Sequence, residues 1–186
     1  MYEKSGSGIP VGLSHENIQS ISITSFLSAF YVFPLLKSPT GGRRMIRKMK
    51  LTDLDKVMDI WLFSNIQAHD FIPEEYWRSN WQQVRSMLPE AEVYVYEKDD
   101  DIRGFIGMME NYIAGIFVDE KFRSCGIGRE LLDYAKSVKK ELSLSVYKKN
   151  QAVARFYLRN GFEISSEAED EATGEIEMLM RWKNDE

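Results

Sequence analysis

A chain of 186 residues with 44% hydrophobic and 28% charged residues has the make-up of one ordinary globular domain, which excludes a wholly disordered protein. Its net charge of −5 argues against general nucleic-acid binding, because that affinity comes from Lys and Arg set against phosphates. A single cysteine, Cys125, and two histidines leave no intramolecular disulfide and no ligand set for a structural metal, so we expect no metal and a reducing, cytoplasmic home.

Residues 1–44 differ in kind from the rest. They contain Ser5-Gly-Ser-Gly8, an apolar run from Phe26 to Phe33 followed by Pro34, and Gly41-Gly-Arg-Arg44. The run is far short of the about 20 apolar residues that a bilayer span needs. It also lacks the basic start and small-residue cleavage pattern of a secretion signal. We expect an N-terminal extension outside the domain, which would then cover residues 45–186 from Met45. Translated upstream DNA would account for such a segment, and pyrimidine-rich codons at Gly41 to Arg44 would argue against it.

From Met45 strand and helix signals alternate, as in an α/β domain. Ile46 to Lys48 reads as a short strand. Thr52 and Asp55 resemble a capping box that opens a helix with Leu54, Val57, Met58 and Trp61 on one face. A second helix begins near Pro73 and sets Tyr76, Trp77, Trp81, Val84 and Leu88 at helical spacing. Strands follow at Glu92–Glu97, Ile102–Met109 and Ile113–Val118, the first two separated by Asp99-Asp-Asp101. A helix from about Gly128 carries the stripe Ile127, Leu131, Leu132, Ala135 and Val138. A strand at Ser143–Val146, a helix from Gln151 to Asn160 ended by Gly161, and strands at Phe162–Ser166 and Ile176–Trp182 complete the pattern.

Between the third of these strands and the helix lies Val118-Asp-Glu-Lys-Phe-Arg123-Ser124-Cys125-Gly126-Ile127-Gly128. Glycines let such a loop approach a ligand closely, and the helix start adds free N–H groups and partial positive charge, so it suits an anion. A P-loop is excluded, because Gly128-Arg129-Glu130 stands where Gly-Lys-Ser/Thr is required. The dinucleotide fingerprint fails at Leu131, where a small residue is needed.

Downstream of the loop's Arg123-x-x-Gly126-x-Gly128 comes Asn150-Gln-Ala-Val-Ala-Arg-Phe156-Tyr157, and then Gly161-Phe162. Together these segments resemble the GNAT acetyltransferase family, over roughly Met45 to Trp182. The stretches Ala68-His69-Asp70-Phe71-Ile72 and Val84 to Ala91 are similar to the small bacterial N-acetyltransferases of the YjaB and YiaC type. The resemblance implies an α/β (α+β) GNAT fold, a mixed central sheet of about six to seven strands flanked by about four helices. It also implies an acetyl-CoA-dependent N-acetyltransferase that works by direct attack in a ternary complex. The expected acceptor is a primary amine on a peptide (a lysine side chain or a protein N-terminus), with a small amine metabolite next. A non-catalytic acyl-CoA sensor is the alternative, and a homodimer is expected only by analogy.

By the same resemblance Arg123, Ser124, Cys125, Gly126, Ile127, Gly128 and Arg129 hold the pyrophosphate. Phe117, Val118, Asn150 and Phe156 line the pantetheine arm, and the Val118 N–H is the expected oxyanion donor. Asn150 also suits a helix N-cap. A lysine-type amine costs roughly 4.6 kcal/mol to deprotonate at pH 7, so a base or a water path is required. Tyr157 is the expected general acid for the thiolate, its phenol pKa of about 10 lying near a thiol's. Glu110 and His69 are the two candidates for the base. Glu167, Glu169, Asp170, Glu171, Glu175 and Glu177 form an acidic stretch suited to a cationic acceptor.

Overall fold

The computed structural model describes residues 44–184; of the expected extension at residues 1–44, residues 1–43 lie outside the described residues and Arg44 is the first residue of a strand. In chain order the elements are β1 (Arg44–Lys48), α1 (Leu54–Ala68), α2 (Glu74–Met87), β2 (Glu92–Lys98), β3 (Asp101–Met109), β4 (Tyr112–Val118), α3 (Ile127–Val138), β5 (Glu141–Tyr147), α4 (Gln151–Arg159), β6 (Glu163–Glu169) and β7 (Ile176–Lys183). The strands form one seven-stranded sheet in the order β1-β2-β3-β4-β5-β7-β6. Only the β4–β5 pair is parallel. The mixed sheet and its helices are the expected α/β architecture.

Local chemistry differs from expectation at three places. A short 3-10 turn, Leu51–Asp53, precedes α1, and Asp53 rather than Asp55 accepts a hydrogen bond from the Lys50 N–H, at 2.7 Å. Helix α3 begins at Ile127, one residue before the glycine, because Gly126 takes the left-handed φ of 86° that ends the loop. Its stripe stops at Ala135, since Val138 lies at the last turn with 47% of its surface exposed.

The core holds α1 and α3 against β3 and β4. Trp61 and Trp77 meet edge to face with centroids 6.2 Å apart, joining α1 to α2, and both are fully buried. On the sheet, Phe105 stacks on Phe117 across the β3–β4 ladder at 4.8 Å. Gly104 lies opposite Val118 on the other face, where a Cβ would stand 2.7 Å from the Phe117 carbonyl oxygen and 3.2 Å from Ile127. The absence of a side chain there is what lets the start of α3 rest on β3.

Two features shape the middle of the sheet. Gly107 pairs with Gly115 and Met108 with Ile113, so Ala114 is an extra residue that bulges β4 and sharpens its twist. Beside it, β4 pairs with β5 only at Tyr112 and Ser143, whereas β5 pairs with β7 along all seven of its residues. The sheet is therefore parted between β4 and β5 and opens toward their C-terminal ends.

Candidate active site

The mouth of that parting is where the chain leaves β4 and enters α3. Asp119 donates its N–H to the Arg103 carbonyl at 2.9 Å, which sets the phase of the β3–β4 ladder. The N–H groups of Phe117 and Asp119 thus face β3, and those of Ile116 and Val118 face β5 across the gap. The Asp119 carboxylate accepts from Lys56 at 2.7 Å and from the Lys121 N–H at 3.1 Å. Burial would raise its pKa, but these donors hold it below the usual carboxylate value. Behind the loop the Arg103 guanidinium lies over the Phe122 ring, 4.3 Å from its centroid.

Arg123 is half-buried at the same mouth. Its Nε donates to the Val118 carbonyl at 3.4 Å, while its buried Nη2 has no hydrogen-bond partner among the described residues. Burial lowers the guanidinium's pKa against the pull of Glu120 and Asp119. After the extended backbone of Arg123, Ser124 (φ 60°) and Gly126 (φ 86°) turn the loop into the first amides of α3. Ser124, Cys125 and Arg129 are exposed, and Ile127 and Gly128 are buried beneath them. A buried cation with an unmatched donor, set beside free helix amides, fits a pyrophosphate. The unmatched β5-facing edge of β4 fits an amide-bearing arm. Their chemistry fits the acetyl-CoA that the resemblance leads us to expect.

The other wall is the junction of β5 and α4. Asn150 caps α4, its Oδ1 accepting from the Val153 N–H at 3.4 Å, and its own N–H reaches the Tyr147 carbonyl at 2.8 Å. Tyr157 is buried between Phe156 and Phe162, with centroid separations of 5.1 and 5.3 Å. Lys136 of α3 donates to the Asn160 carbonyl and lies over the Phe162 and Trp182 rings, so α3 and α4 share one face of the sheet.

The two base candidates are placed differently. Glu110 is exposed in the β3–β4 turn with a φ of 54°. Eight residues separate it from Val118 along β4, about 26 Å at roughly 3.3 Å per residue. His69 is wholly buried at the end of α1 against Trp77, Phe71 and Tyr147, with its Nδ1 3.1 Å from the Asn65 carbonyl. Burial pulls its pKa down to about 4.

Sequence reasoning gave Tyr147, Tyr112 and Glu177 no individual role, yet Tyr112 and Tyr147 flank the parting and Glu177 lies one strand beyond it, paired with Tyr147. Tyr147 donates to Asp170 at 2.7 Å, and Thr173 donates to both Asp170 (2.8 Å) and the Tyr147 oxygen (3.3 Å). The signal for Glu177 was present: in Ile-Glu-Met-Leu-Met it shares a strand face with Leu179, where a carboxylate is out of place.

Comparison with known proteins identifies the family. Residues 89–164 match the family described as "Acetyltransferase (GNAT) domain". The Escherichia coli protein named "Peptidyl-lysine N-acetyltransferase YiaC" is 35% identical over 140 residues, covering 74% of this chain and 96% of that one. The E. coli peptidyl-lysine N-acetyltransferase YjaB is 32% identical over 137 residues, covering 73% and 92%. The solution structure of apo-form E. coli YjaB superposes with a TM-score of 0.68 at 28% identity, covering 76% of this chain and 99% of that one. A Bacillus cereus GNAT-family acetyltransferase shares the fold at a TM-score of 0.59 and 22% identity, covering 77% of this chain and 99% of that one. The chain belongs to the GNAT acetyltransferase family. It is an enzyme that moves an acetyl group from acetyl-CoA to an amine.

No helix among the described residues is long and apolar enough to cross a membrane. No group of three or more His, Cys, Asp or Glu among them is arranged to hold a metal.

Proposed function

We propose that this enzyme acetylates primary amines on peptides, with lysine side chains as the preferred acceptors and protein N-termini next. The observation that carries this reading is the relation to YiaC, a protein named for peptidyl-lysine acetylation, over 96% of its length. The acidic stretch from Glu167 to Glu177 does not add to it as expected, because Asp170 and Glu177 are buried and Glu167 and Glu175 pair with Lys148 and Lys149.

In this reading Arg123, Arg129 and the amides of Ser124 to Gly128 bind the pyrophosphate, and Cys125 is an exposed loop residue without a covalent role. Asn150, Phe156 and the edge of β4 at Phe117 and Val118 orient the pantetheine arm. Bound acetyl-CoA supplies the activated acetyl group. The Val118 N–H, fixed toward the gap by the ladder, donates to the carbonyl oxygen as it gains charge. Tyr157 gives its phenol proton to the departing sulfur. Neither Glu110, at the far end of β4, nor His69, inside the ring cluster, is placed to favour the base role.

The test is incubation of the protein with acetyl-CoA and a panel of lysine peptides, free-N-terminus peptides, polyamines and amino acids, with products identified by mass spectrometry. Modified lysine peptides are the expected result. Acetylation of small amines alone would overturn the peptide preference, and acetyl-CoA binding without any product would favour a sensor.

A further inference from the structure

Strand β4, Tyr-Ile-Ala-Gly-Ile-Phe-Val, brings no carboxylate or imidazole to the gap that it borders. Besides His69, the buried ionisable acids among the described residues are Asp53, Asp170 and Glu177. Asp53 is engaged by Arg47 at 2.6 Å and by the Lys50 N–H, in the corner beside β1. Asp170 accepts from Tyr147, Thr173 and the Ala172 N–H, which close the β6–β7 turn. Glu177 is the one whose strand lies next to β5.

Its placement follows from register. Glu177 pairs with Tyr147, so the two side chains leave the sheet on one face together with Ser145, two residues away. Tyr112 pairs with Ser143 on that same face, and its phenol is within electrostatic reach of Ser145 across the gap. The opposite face of these strands shows Leu142, Leu144, Val146, Met178 and Met180, all buried. One side of the gap is thus apolar and the other is a row of hydroxyls around a buried carboxylate. Burial, and then the Glu177 charge among other causes, raises the Tyr112 pKa to about 12, and Glu177 also contributes to the rise at Tyr147. The carboxylate is therefore within electrostatic reach of both walls.

We propose that Glu177 takes the proton from the acceptor ammonium. This rests on the reading of the enzyme as an amine acetyltransferase. The carboxylate accepts one proton from R–NH3+ and passes it to solvent. The freed nitrogen lone pair forms the C–N bond, and the C–S bond breaks with its electrons going to sulfur. Sulfur takes the Tyr157 proton, and the second nitrogen proton replaces it. The ionisable groups around Glu177 are Tyr147, its cross-strand pair on β5, Tyr112 on β4, and, packed against Tyr147, Asp170 of the β6–β7 turn and His69 at the end of α1; Arg181 lies on the same face of β7 four residues on.

The experiment follows kcat for a lysine peptide from pH 6 to 10 in the wild type, Glu177→Gln and Glu177→Asp, with acetyl-CoA affinity measured by calorimetry. Glu177→Gln should lose about 100-fold in kcat near pH 7 with acetyl-CoA affinity unchanged, and should recover toward pH 10, where the ammonium loses its proton unaided. Glu177→Asp should keep the wild-type shape of the profile at a lower rate, and it decides the matter if the glutamine variant does not fold. A wild-type rate in Glu177→Gln, or one equal loss at every pH in both variants, would overturn the proposal. A wild type that acetylates no amine would instead remove the reading beneath it.

Discussion

Tyr147 at the end of β5 donates a 2.7 Å hydrogen bond to Asp170, which ties the wall of the gap to the turn joining β6 and β7. Burial first, and then Asp170, raises the phenol's pKa, so Tyr147 stays a donor through the neutral range. Replacing Asp170 by Ala leaves the buried Tyr147 hydroxyl proton without its acceptor, with only Thr173 still donating to its oxygen. The expected loss is about 1–3 kcal/mol in urea unfolding. Tyr147→Phe should cost less, because Asp170 keeps Thr173 and the Ala172 N–H.

Tyr157→Phe removes a proton donor and keeps the ring between Phe156 and Phe162. Turnover should fall by about 100-fold or more with acetyl-CoA affinity unchanged, as stopped assays and calorimetry would show. Unchanged turnover would remove Tyr157 from the mechanism.

At the mouth, Arg123→Gln takes away the buried guanidinium with its unmatched Nη2. The KM for acetyl-CoA should rise with little change in kcat, the signature of binding lost equally from ground and transition states. Gly126→Ala should act in the same direction through backbone strain, since alanine at a φ of 86° costs roughly 1–2 kcal/mol.

His69 predicts how stability changes with acid. Its pKa is about 4 when folded, against an ordinary 6.5, so the unfolded chain binds the proton more readily. The stabilisation is complete above pH 6.5 and is lost as pH falls toward 4, by roughly 3 kcal/mol in all. His69→Gln should flatten that slope in urea titrations at stepped pH. A second loss, beginning below about pH 4, should remain in the variant. It comes from Asp53, where burial raises the pKa but Arg47 and the Lys50 N–H outweigh it and hold the group low.

Gly104→Ala would press a methyl group into the Phe117 carbonyl and the Ile127 side chain. We expect a loss of about 1–3 kcal/mol in thermal unfolding, with the start of α3 displaced and acetyl-CoA affinity weakened.

Much of the fold was legible because strands and helices here carry strong periodicity: Trp77, Val84 and Leu88 mark one helix face and Leu131, Leu132 and Ala135 another, and all six are buried. The loop from Arg123 to Gly128 announced itself through spacing that few other functions need. The row Tyr112, Ser145, Tyr147 and Glu177 did not, since its members come from three strands and meet only through register. Glu110 looked suitable because it adjoins β4 in sequence, but adjacency cannot say which end of a strand faces the ligand. His69 looked suitable by chemical type, and burial among rings is a property of the folded neighbours rather than of the residue.

The parting between β4 and β5 leaves the N–H groups of Ile116 and Val118 without a ladder partner on that side. A cosubstrate lodged there, as proposed, would act as a strut between two half-sheets and would couple the fold's resistance to unfolding to metabolic supply. At a concentration of 100 times its Kd such a ligand adds about 2.7 kcal/mol. The lifetime of this protein in a cell would then follow the abundance of acetyl-CoA, with starvation softening the molecule before it slows the reaction.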